Sequence, residues 1–151
     1  MLDVYKIRED FPILGKKVNN TDLIYFDNAA TSQTPNQVID VISNYYKQYN
    51  SNIHRGLHSL SADATNKYEN SRTIIKNHFG ASHEHEIIFT SGTTHGINII
   101  SSGLEKLISS KDELIVSEME HHSNIVPWQM LCEKTGSKLK VIPINDDGTL
   151  N

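Results

Sequence analysis

The sequence predicts an α/β fold with a mainly parallel sheet flanked by helices. From residue 86 onward, apolar runs typical of buried strands alternate with helical patterns, which is the order of βαβ units. Strands joined by helical crossovers run parallel, so a parallel sheet with right-handed connections is expected. Two polar loops, at residues 90–98 and 118–124, each follow a strand and precede a helix. In open α/β sheets, ligands bind at such junctions.

The first half of the chain predicts one short strand and two long helices. Residues 1–20 hold a short helical pattern, and Leu23–Phe26 is a strand candidate. A proline opens a helix of about residues 35–49, in which apolar side chains recur at spacings of three and four. A second helix of about residues 59–79 follows, and Gly80 fits the position that ends a helix.

The second half predicts three strands and two helices in alternation. The expected elements are strand 86–90, helix 93–109, strand 112–117, helix 123–135 and strand 138–144. Pro127 falls in the first turn of the second helix, where its missing N–H does little harm. Ser123 or Asn124 is placed to cap that helix, and Gly136 follows its end.

The composition of the chain limits the classes of function that it can have. The chain has 151 residues, of which 37% are apolar and 21% charged, so a globular domain is expected. The net charge is −4 and no basic run occurs, which argues against a nucleic-acid partner. No apolar run approaches the ~20 residues of a membrane span, and the first residues lack a signal-peptide core. Cys132 is the single cysteine, which suits a reducing cytoplasm.

The loop at residues 90–98 indicates a phosphate site. Gly92 lets the backbone approach a ligand closely. Thr93 and Thr94 offer hydroxyls and first-turn N–H groups at a helix start, where the dipole favours negative charge. The alternative is ordinary capping of the helix by Ser91 or Thr93, because such sequences are common in turns.

The second loop contains the pair His121–His122. An imidazole there could stack on an aromatic ligand and could move protons near neutral pH. The alternative is a loop histidine with a backbone partner. A metal site is not predicted, because the chain has no Cys-x-x-Cys motif. His54 and His58 are four residues apart, but Arg55 and Gly56 between them argue against a helix.

Four motifs in order resemble the SufS-type (group II) cysteine desulfurases, which are class V, fold-type-I enzymes dependent on pyridoxal 5'-phosphate. The segments that carry the resemblance are Tyr25–Thr31, Asn52–His58, Phe89–Asn98 and Ser117–Gln129. The resemblance implies that the chain is the amino-terminal portion of the large domain of such a transferase. Four motifs at family spacing are far more specific than any one of them alone.

The resemblance implies roles for four residues at the cofactor. Gly92, Thr93 and Thr94 match the loop that holds the cofactor phosphate. His121 matches the histidine that stacks on the pyridine ring and assists proton transfer, so it is the expected catalytic residue.

Four further residues are implied to lie near the substrate. Ala29 and Ala30 match a loop that borders it, and His54 and Arg55 match a loop near the active-site mouth and the dimer partner. His95 departs from the family, which more often has an acidic residue at this position facing the dimer interface.

The implied activity converts L-cysteine to L-alanine and leaves a persulfide on the enzyme, for donation to a sulfur-acceptor protein in iron–sulfur cluster assembly. A homodimer is implied. The family's cofactor-binding lysine, pyridine-pairing aspartate, nucleophilic cysteine and carboxylate-binding arginine have no match here. We therefore expect residues 1–20 as an amino-terminal segment, residues 21–151 as a partial cofactor-binding domain that is inactive alone, and a natural sequence that continues past Asn151.

Two other interpretations stay open at this point. A related class V lyase, such as selenocysteine lyase or kynureninase, would share the cofactor chemistry. A truncated product without catalytic activity could at most bind a partner.

Overall fold

The computed structural model describes residues 2–151. Its contacts divide the chain into two compact units, with the boundary between Ile87 and Ile88. The division expected at residue 20 concerns the larger family domain and stays a prediction.

The first unit is mostly helical. In chain order it contains α1 (Val4–Glu9), a 3₁₀ turn (Pro12–Gly15), β1 (Lys17–Val18), β2 (Thr21–Asp22), α2 (Asn36–Asn44), a π turn (Tyr45–Tyr49), α3 (Ser59–Phe79) and a 3₁₀ turn (Glu84–Glu86). The amino-terminal helical pattern is confirmed by α1, which Asp3 caps by accepting a hydrogen bond from the backbone N–H of Lys6.

The two long helices of the first half are confirmed. Pro35 is the residue before α2, and the π turn carries the helical path on to Tyr49. Helix α3 has the predicted bounds, and Gly80 ends it in the left-handed conformation with φ of 67°. Glycine adopts that conformation without the steric cost that a β-carbon brings.

The strand predicted at Leu23–Phe26 is wrong. The antiparallel pair lies just before it, where β1 and β2 pair through a turn with positive φ at Asn19 and Asn20. Leu23 adds one backbone hydrogen bond to Lys16, and residues 23–27 then have no regular structure. Within residues 2–151 no strand lies beside residues 24–27, and a strand exists only through a hydrogen-bonded neighbour.

The second unit contains the βαβ arrangement. Its elements are α4 (Thr93–Leu104), β3 (Glu113–Ser117), a 3₁₀ turn (His122–Asn124), α5 (Val126–Thr135) and β4 (Lys138–Ile142). Strands β3 and β4 are parallel, with Glu113 opposite Lys138 and Ser117 opposite Ile142. The predicted parallel pairing and the helical crossover between these two strands are therefore confirmed.

The strand predicted at residues 86–90 is wrong. Glu84–Glu86 is a 3₁₀ turn, and residues 87–90 have no regular structure. Ile87 is extended, with φ of −98° and ψ of 112°, and its carbonyl accepts a hydrogen bond from the guanidinium of Arg72. The backbone is thus strand-like, but no strand among the described residues lies beside it to form a ladder.

Two predicted elements end earlier than expected. Helix α4 stops at Leu104 instead of residue 109, and Asp112 closes the following turn by accepting hydrogen bonds from the backbone and hydroxyl of Ser109. Strand β4 stops at Ile142 instead of residue 144, because Pro143 follows and has no N–H to donate.

Few apolar side chains are fully buried. Val116 and Leu131 are buried in the second unit and Ala64 in the first, whereas Ile115 on β3 is 64% exposed. Since strand side chains alternate between faces, β3 buries one face and leaves the other open. No helix in residues 2–151 has both the length and the apolar character needed to cross a membrane.

Candidate cofactor site

The start of α4 has a backbone that glycine alone adopts easily. Gly92 precedes the helix with φ of 150° and ψ of 175°, a region essentially closed to residues that carry a β-carbon. Its carbonyl accepts a hydrogen bond from Thr90 Oγ1 at 3.1 Å and begins the helical ladder by accepting from Gly96 N–H. An ideal β-carbon on Gly92 would point into open space.

Thr93 and Thr94 present free donors. Helix α4 has no side-chain cap, so the capping alternative by Ser91 or Thr93 is wrong. In the described part of the chain, neither the backbone N–H nor the hydroxyl of either threonine has a hydrogen-bond partner. Both threonines are exposed. Unpaired N–H groups, hydroxyls and the positive end of a helix dipole together suit an anion such as a phosphate.

Ser91 bonds instead to His95. The Ser91 hydroxyl lies 3.1 Å from Nδ1 of His95, and the Ser91 N–H donates to the same nitrogen at 3.3 Å. The His95 imidazole therefore folds back onto the loop before α4. It forms its hydrogen bonds with Ser91 and leaves the donors of Thr93 and Thr94 free.

The loop after β3 carries His121. Nδ1 of His121 accepts a hydrogen bond from Ser123 N–H at 3.2 Å and lies 2.9 Å from the Ser123 hydroxyl. The ring of His122 stands edge-on to that of His121, with 6.0 Å between the ring centroids. Both histidines are exposed, and the partner of His121 is two residues along its own loop.

The expected capping of the helix by Ser123 or Asn124 is wrong. Helix α5 begins after Ile125 with no side-chain cap, while Pro127 lies in its first turn as predicted. The cap falls one turn earlier, where the His121 imidazole accepts from Ser123 N–H at the start of the 3₁₀ turn. The side-chain amide of Asn124 bonds to Glu120 and Trp128 instead, so it does not cap α5.

A chain of polar side chains runs past His121. Glu120 Oε1 accepts from the Ser117 hydroxyl at 2.9 Å, and Glu120 Oε2 accepts from Asn124 Nδ2 at 2.8 Å. Asn124 Oδ1 in turn accepts from Trp128 Nε1 at 2.8 Å. The hydrogen bonds from Asn124 and then Ser117 lower the pKa of the Glu120 carboxyl. Sequence reasoning missed this network, although the spacing of four between Glu120, Asn124 and Trp128 was available as a signal.

The two loops lie on packed elements of one unit. Helix α4 packs against α5 and against the 3₁₀ turn after His121. The hydroxyl of Ser101 on α4 donates to the carbonyl of Pro127 on α5 at 2.9 Å, and this hydrogen bond is buried. Gly92, Thr93, Thr94 and His121 therefore belong to one packed arrangement.

Ala29 and Ala30 lie in the first unit, in a turn that Tyr25 braces. The backbone N–H groups of Ala30 and Thr31 both donate to the carbonyl of Asp27. The Tyr25 hydroxyl lies 3.1 Å from that carbonyl oxygen and 2.7 Å from the carbonyl oxygen of Thr31. The tyrosine thus spans the loop and holds its shape.

His54 and Arg55 also lie in the first unit, in a loop held by α3. His54 has φ of 69°, an uncommon conformation for this residue type, and its N–H donates to Thr65 Oγ1 at 2.8 Å. Its ring is edge-on to Tyr68, and Nε2 lies 3.5 Å from Glu69 Oε1. The side chain of Arg55 is exposed. Because these four residues belong to the other unit, their place beside His121 stays a prediction.

Metal binding was not expected from the sequence. Across residues 2–151, no group of three or more His, Cys, Asp or Glu side chains is arranged to hold a metal ion.

Known proteins match this arrangement over nearly the whole chain. The family model "Aminotransferase class-V" matches residues 24–151. A protein of Staphylococcus epidermidis named probable cysteine desulfurase is 52% identical over 149 residues, which are 98% of this chain and 36% of that protein. The chain thus spans about a third of the length of the curated relatives it matches.

Solved structures agree. The apo structure of a cysteine desulfurase from Thermococcus onnurineus NA1 has a TM-score of 0.86 and is 40% identical to this chain. The match covers 100% of this chain and 36% of the Thermococcus chain. A cysteine desulfurase from Escherichia coli has a TM-score of 0.75 and is 30% identical, and this match covers 97% of this chain and 36% of the Escherichia coli chain. The predicted fold, the amino-terminal portion of this class of transferase, is confirmed. The chain belongs to the class-V aminotransferase family.

Proposed function

We propose that this chain is part of a pyridoxal-phosphate-dependent cysteine desulfurase of the SufS type. Such an enzyme converts L-cysteine to L-alanine and retains the sulfur as a persulfide for iron–sulfur cluster assembly. The observation that carries the proposal is the set of free donors at Thr93 and Thr94, on a helix packed against the His121 turn. The chemistry of these donors fits a phosphate-bearing cofactor.

The start of α4 would hold the phosphate. The N–H groups and hydroxyls of Thr93 and Thr94 would donate to phosphate oxygens, each charge-assisted bond contributing about 1.5–3 kcal/mol. Gly92 would give the backbone the conformation that brings these donors to one side. When bound, pyridoxal phosphate supplies an electron sink for the α-carbon of an amino-acid substrate.

His121 would act through its second ring nitrogen. Nδ1 accepts the hydrogen bond from Ser123 N–H, and a backbone amide can only donate. In the neutral imidazole the hydrogen is therefore on Nε2, and this nitrogen would hold or move a proton. His122 has no comparable bond among the described residues, which supports the choice of His121.

The remaining roles are also part of the proposal. Ala29, Ala30, His54 and Arg55 would border the substrate. The covalent chemistry would need a lysine, an aspartate, a cysteine and an arginine from outside this chain, since the relatives are almost three times longer. A homodimer, a sulfur-acceptor protein and a cytoplasmic location complete the proposal.

The alternative activities have less support. The matching proteins cited above are named cysteine desulfurases. Selenocysteine lyase, kynureninase and a truncated product without activity have no structural observation in their favour.

The test uses the full-length protein that carries this sequence. With pyridoxal phosphate and a thiol reductant, we expect equal amounts of alanine and sulfide from L-cysteine. Selenocysteine and kynurenine serve as competing substrates. A protein that binds pyridoxal phosphate but prefers kynurenine, or that acts on selenocysteine while releasing no sulfide from L-cysteine, would contradict the proposal.

A further inference from the structure

Glu120 lies next to the proposed catalytic histidine, and its carboxylate is occupied on both sides. One oxygen accepts from Ser117, the last residue of β3, and the other accepts from Asn124 in the 3₁₀ turn. The side chain is half-buried. The carboxylate therefore joins the two ends of the loop that contains His121.

The direction of each hydrogen bond in this network is determined by chemistry. The indole Nε1 of Trp128 can only donate, so Asn124 must present its amide oxygen to the indole. The amide nitrogen of Asn124 then points at Glu120 and needs an acceptor. An ionised carboxylate meets that need and also accepts from the Ser117 hydroxyl, which explains the choice of an acidic residue.

The network determines the backbone on which the His121 contact depends. Asn124 N–H donates to the carbonyl of His121 at 2.7 Å, and Ser123 N–H donates to the His121 ring. Both contacts need the 3₁₀ turn to be wound as it is. Asn124 belongs to that turn and is held by Glu120 on one side and Trp128 on the other.

We propose that Glu120 is a positioning residue, whose two accepted hydrogen bonds hold the 121–124 turn so that His121 keeps its hydrogen on Nε2. This inference rests on the proposed function for the role of His121 in catalysis. Glu120 acts through hydrogen bonds and geometry. A neutral side chain that keeps an oxygen acceptor toward Asn124 and a polar group toward Ser117 should therefore substitute for the carboxylate.

The test compares three variants of the full-length protein. Glu120→Ala removes both acceptors. Glu120→Gln can still accept from Asn124 through its oxygen and donate to the Ser117 hydroxyl, which accepts as well as donates. Glu133→Ala is the matched control, since Glu133 is an exposed glutamate on α5 with no side-chain hydrogen bond or ion pair in the described structure.

The first measurement is ¹⁵N NMR of the histidine rings without cofactor, with the His121 signals assigned by a His121→Gln variant. Wild type, Glu120→Gln and Glu133→Ala should show a single Nε2–H tautomer for His121. Glu120→Ala should show a mixture of the two tautomers. An unchanged tautomer in Glu120→Ala would overturn the proposal, and a mixture in Glu120→Gln would show that charge, not hydrogen bonding, is what matters.

The second measurement is kcat for alanine formation, which should fall about tenfold or more in Glu120→Ala and recover largely in Glu120→Gln. If Glu120→Ala fails to fold, Ser117→Ala removes one of the two hydrogen bonds and should shift the tautomer in the same direction. Because the NMR measurement needs neither cofactor nor turnover, it separates the two proposals. A wild-type protein without desulfurase activity refutes the proposed function alone.

Discussion

The hydroxyl of Ser101 donates to the carbonyl of Pro127 across 2.9 Å, in a buried contact between α4 and α5. Helix α4 begins with the proposed phosphate donors, and α5 follows directly after the His121 turn. This one hydrogen bond therefore couples the two halves of the candidate site. Its importance can be measured without any cofactor.

Replacing Ser101 by alanine should destabilise the protein by about 1–3 kcal/mol, because the buried carbonyl of Pro127 loses its donor. Ser102→Ala is the control, since Ser102 is exposed and its hydroxyl has no hydrogen bond in the described structure. Denaturant unfolding measures both. Equal stabilities of the two variants would contradict a structural role for the contact.

Replacing Gly92 by alanine should cost about 1–3 kcal/mol through the backbone, since φ of 150° is unfavourable for alanine. A steric clash is not the cause, because the added carbon would meet open space. Gly103→Ala, inside α4 and equally open, should instead be neutral or stabilising by up to about 1 kcal/mol. Denaturant unfolding measures the change in unfolding free energy for each variant. A Gly92→Ala variant that is no less stable than Gly103→Ala would contradict a backbone cost at Gly92.

Thr94→Val keeps the shape of the side chain and removes its hydroxyl. If that hydroxyl binds the cofactor phosphate, pyridoxal phosphate affinity of the full-length protein should weaken by about 1–3 kcal/mol. Thr34→Val, at an exposed position in the other unit, should leave the affinity unchanged. An unaltered dissociation constant for Thr94→Val would remove Thr94 from the proposed site.

His121→Ala should lower kcat for alanine formation by about 10²–10⁴-fold and shift the absorption spectrum of the bound cofactor. His122→Ala is the matched control and should have the smaller effect on both. The two effects appearing in reverse order would assign the catalytic role to His122.

Asp112 gives a prediction about pH. Hydrogen bonds from the backbone and then the hydroxyl of Ser109 lower the pKa of its carboxyl. A lowered folded-state pKa contributes stability above the ordinary carboxyl pKa of about 4, and this stability is lost as pH falls through the folded value. The stability gap between wild type and Asp112→Asn should therefore be widest at neutral pH and shrink below about pH 4. Urea unfolding at several pH values measures the gap, and a constant gap would contradict this role.

Predictions from the sequence succeeded where hydrogen bonds are local. The bounds of α3 and its end at Gly80 were predicted because each helical bond joins residues four apart and a glycine marks the stop. The strands at Leu23–Phe26 and residues 86–90 were predicted from apolar runs alone and were wrong. Ladder partners for a strand come from distant parts of a chain, and residues 2–151 contain none for either stretch.

The sequence by itself determined the family and the order of α4, β3, α5 and β4, and it singled out Gly92, Thr93, Thr94 and His121 as candidate site residues. Motif spacing and local periodicity carry that information. Only the tertiary structure decided that the donors of Thr93 and Thr94 are free and that Ser123 N–H donates to Nδ1 of His121. It also decided that Glu120 joins β3 to the 3₁₀ turn after His121. These facts depend on which donor meets which acceptor in space, and residue order leaves several pairings possible until the chain is folded.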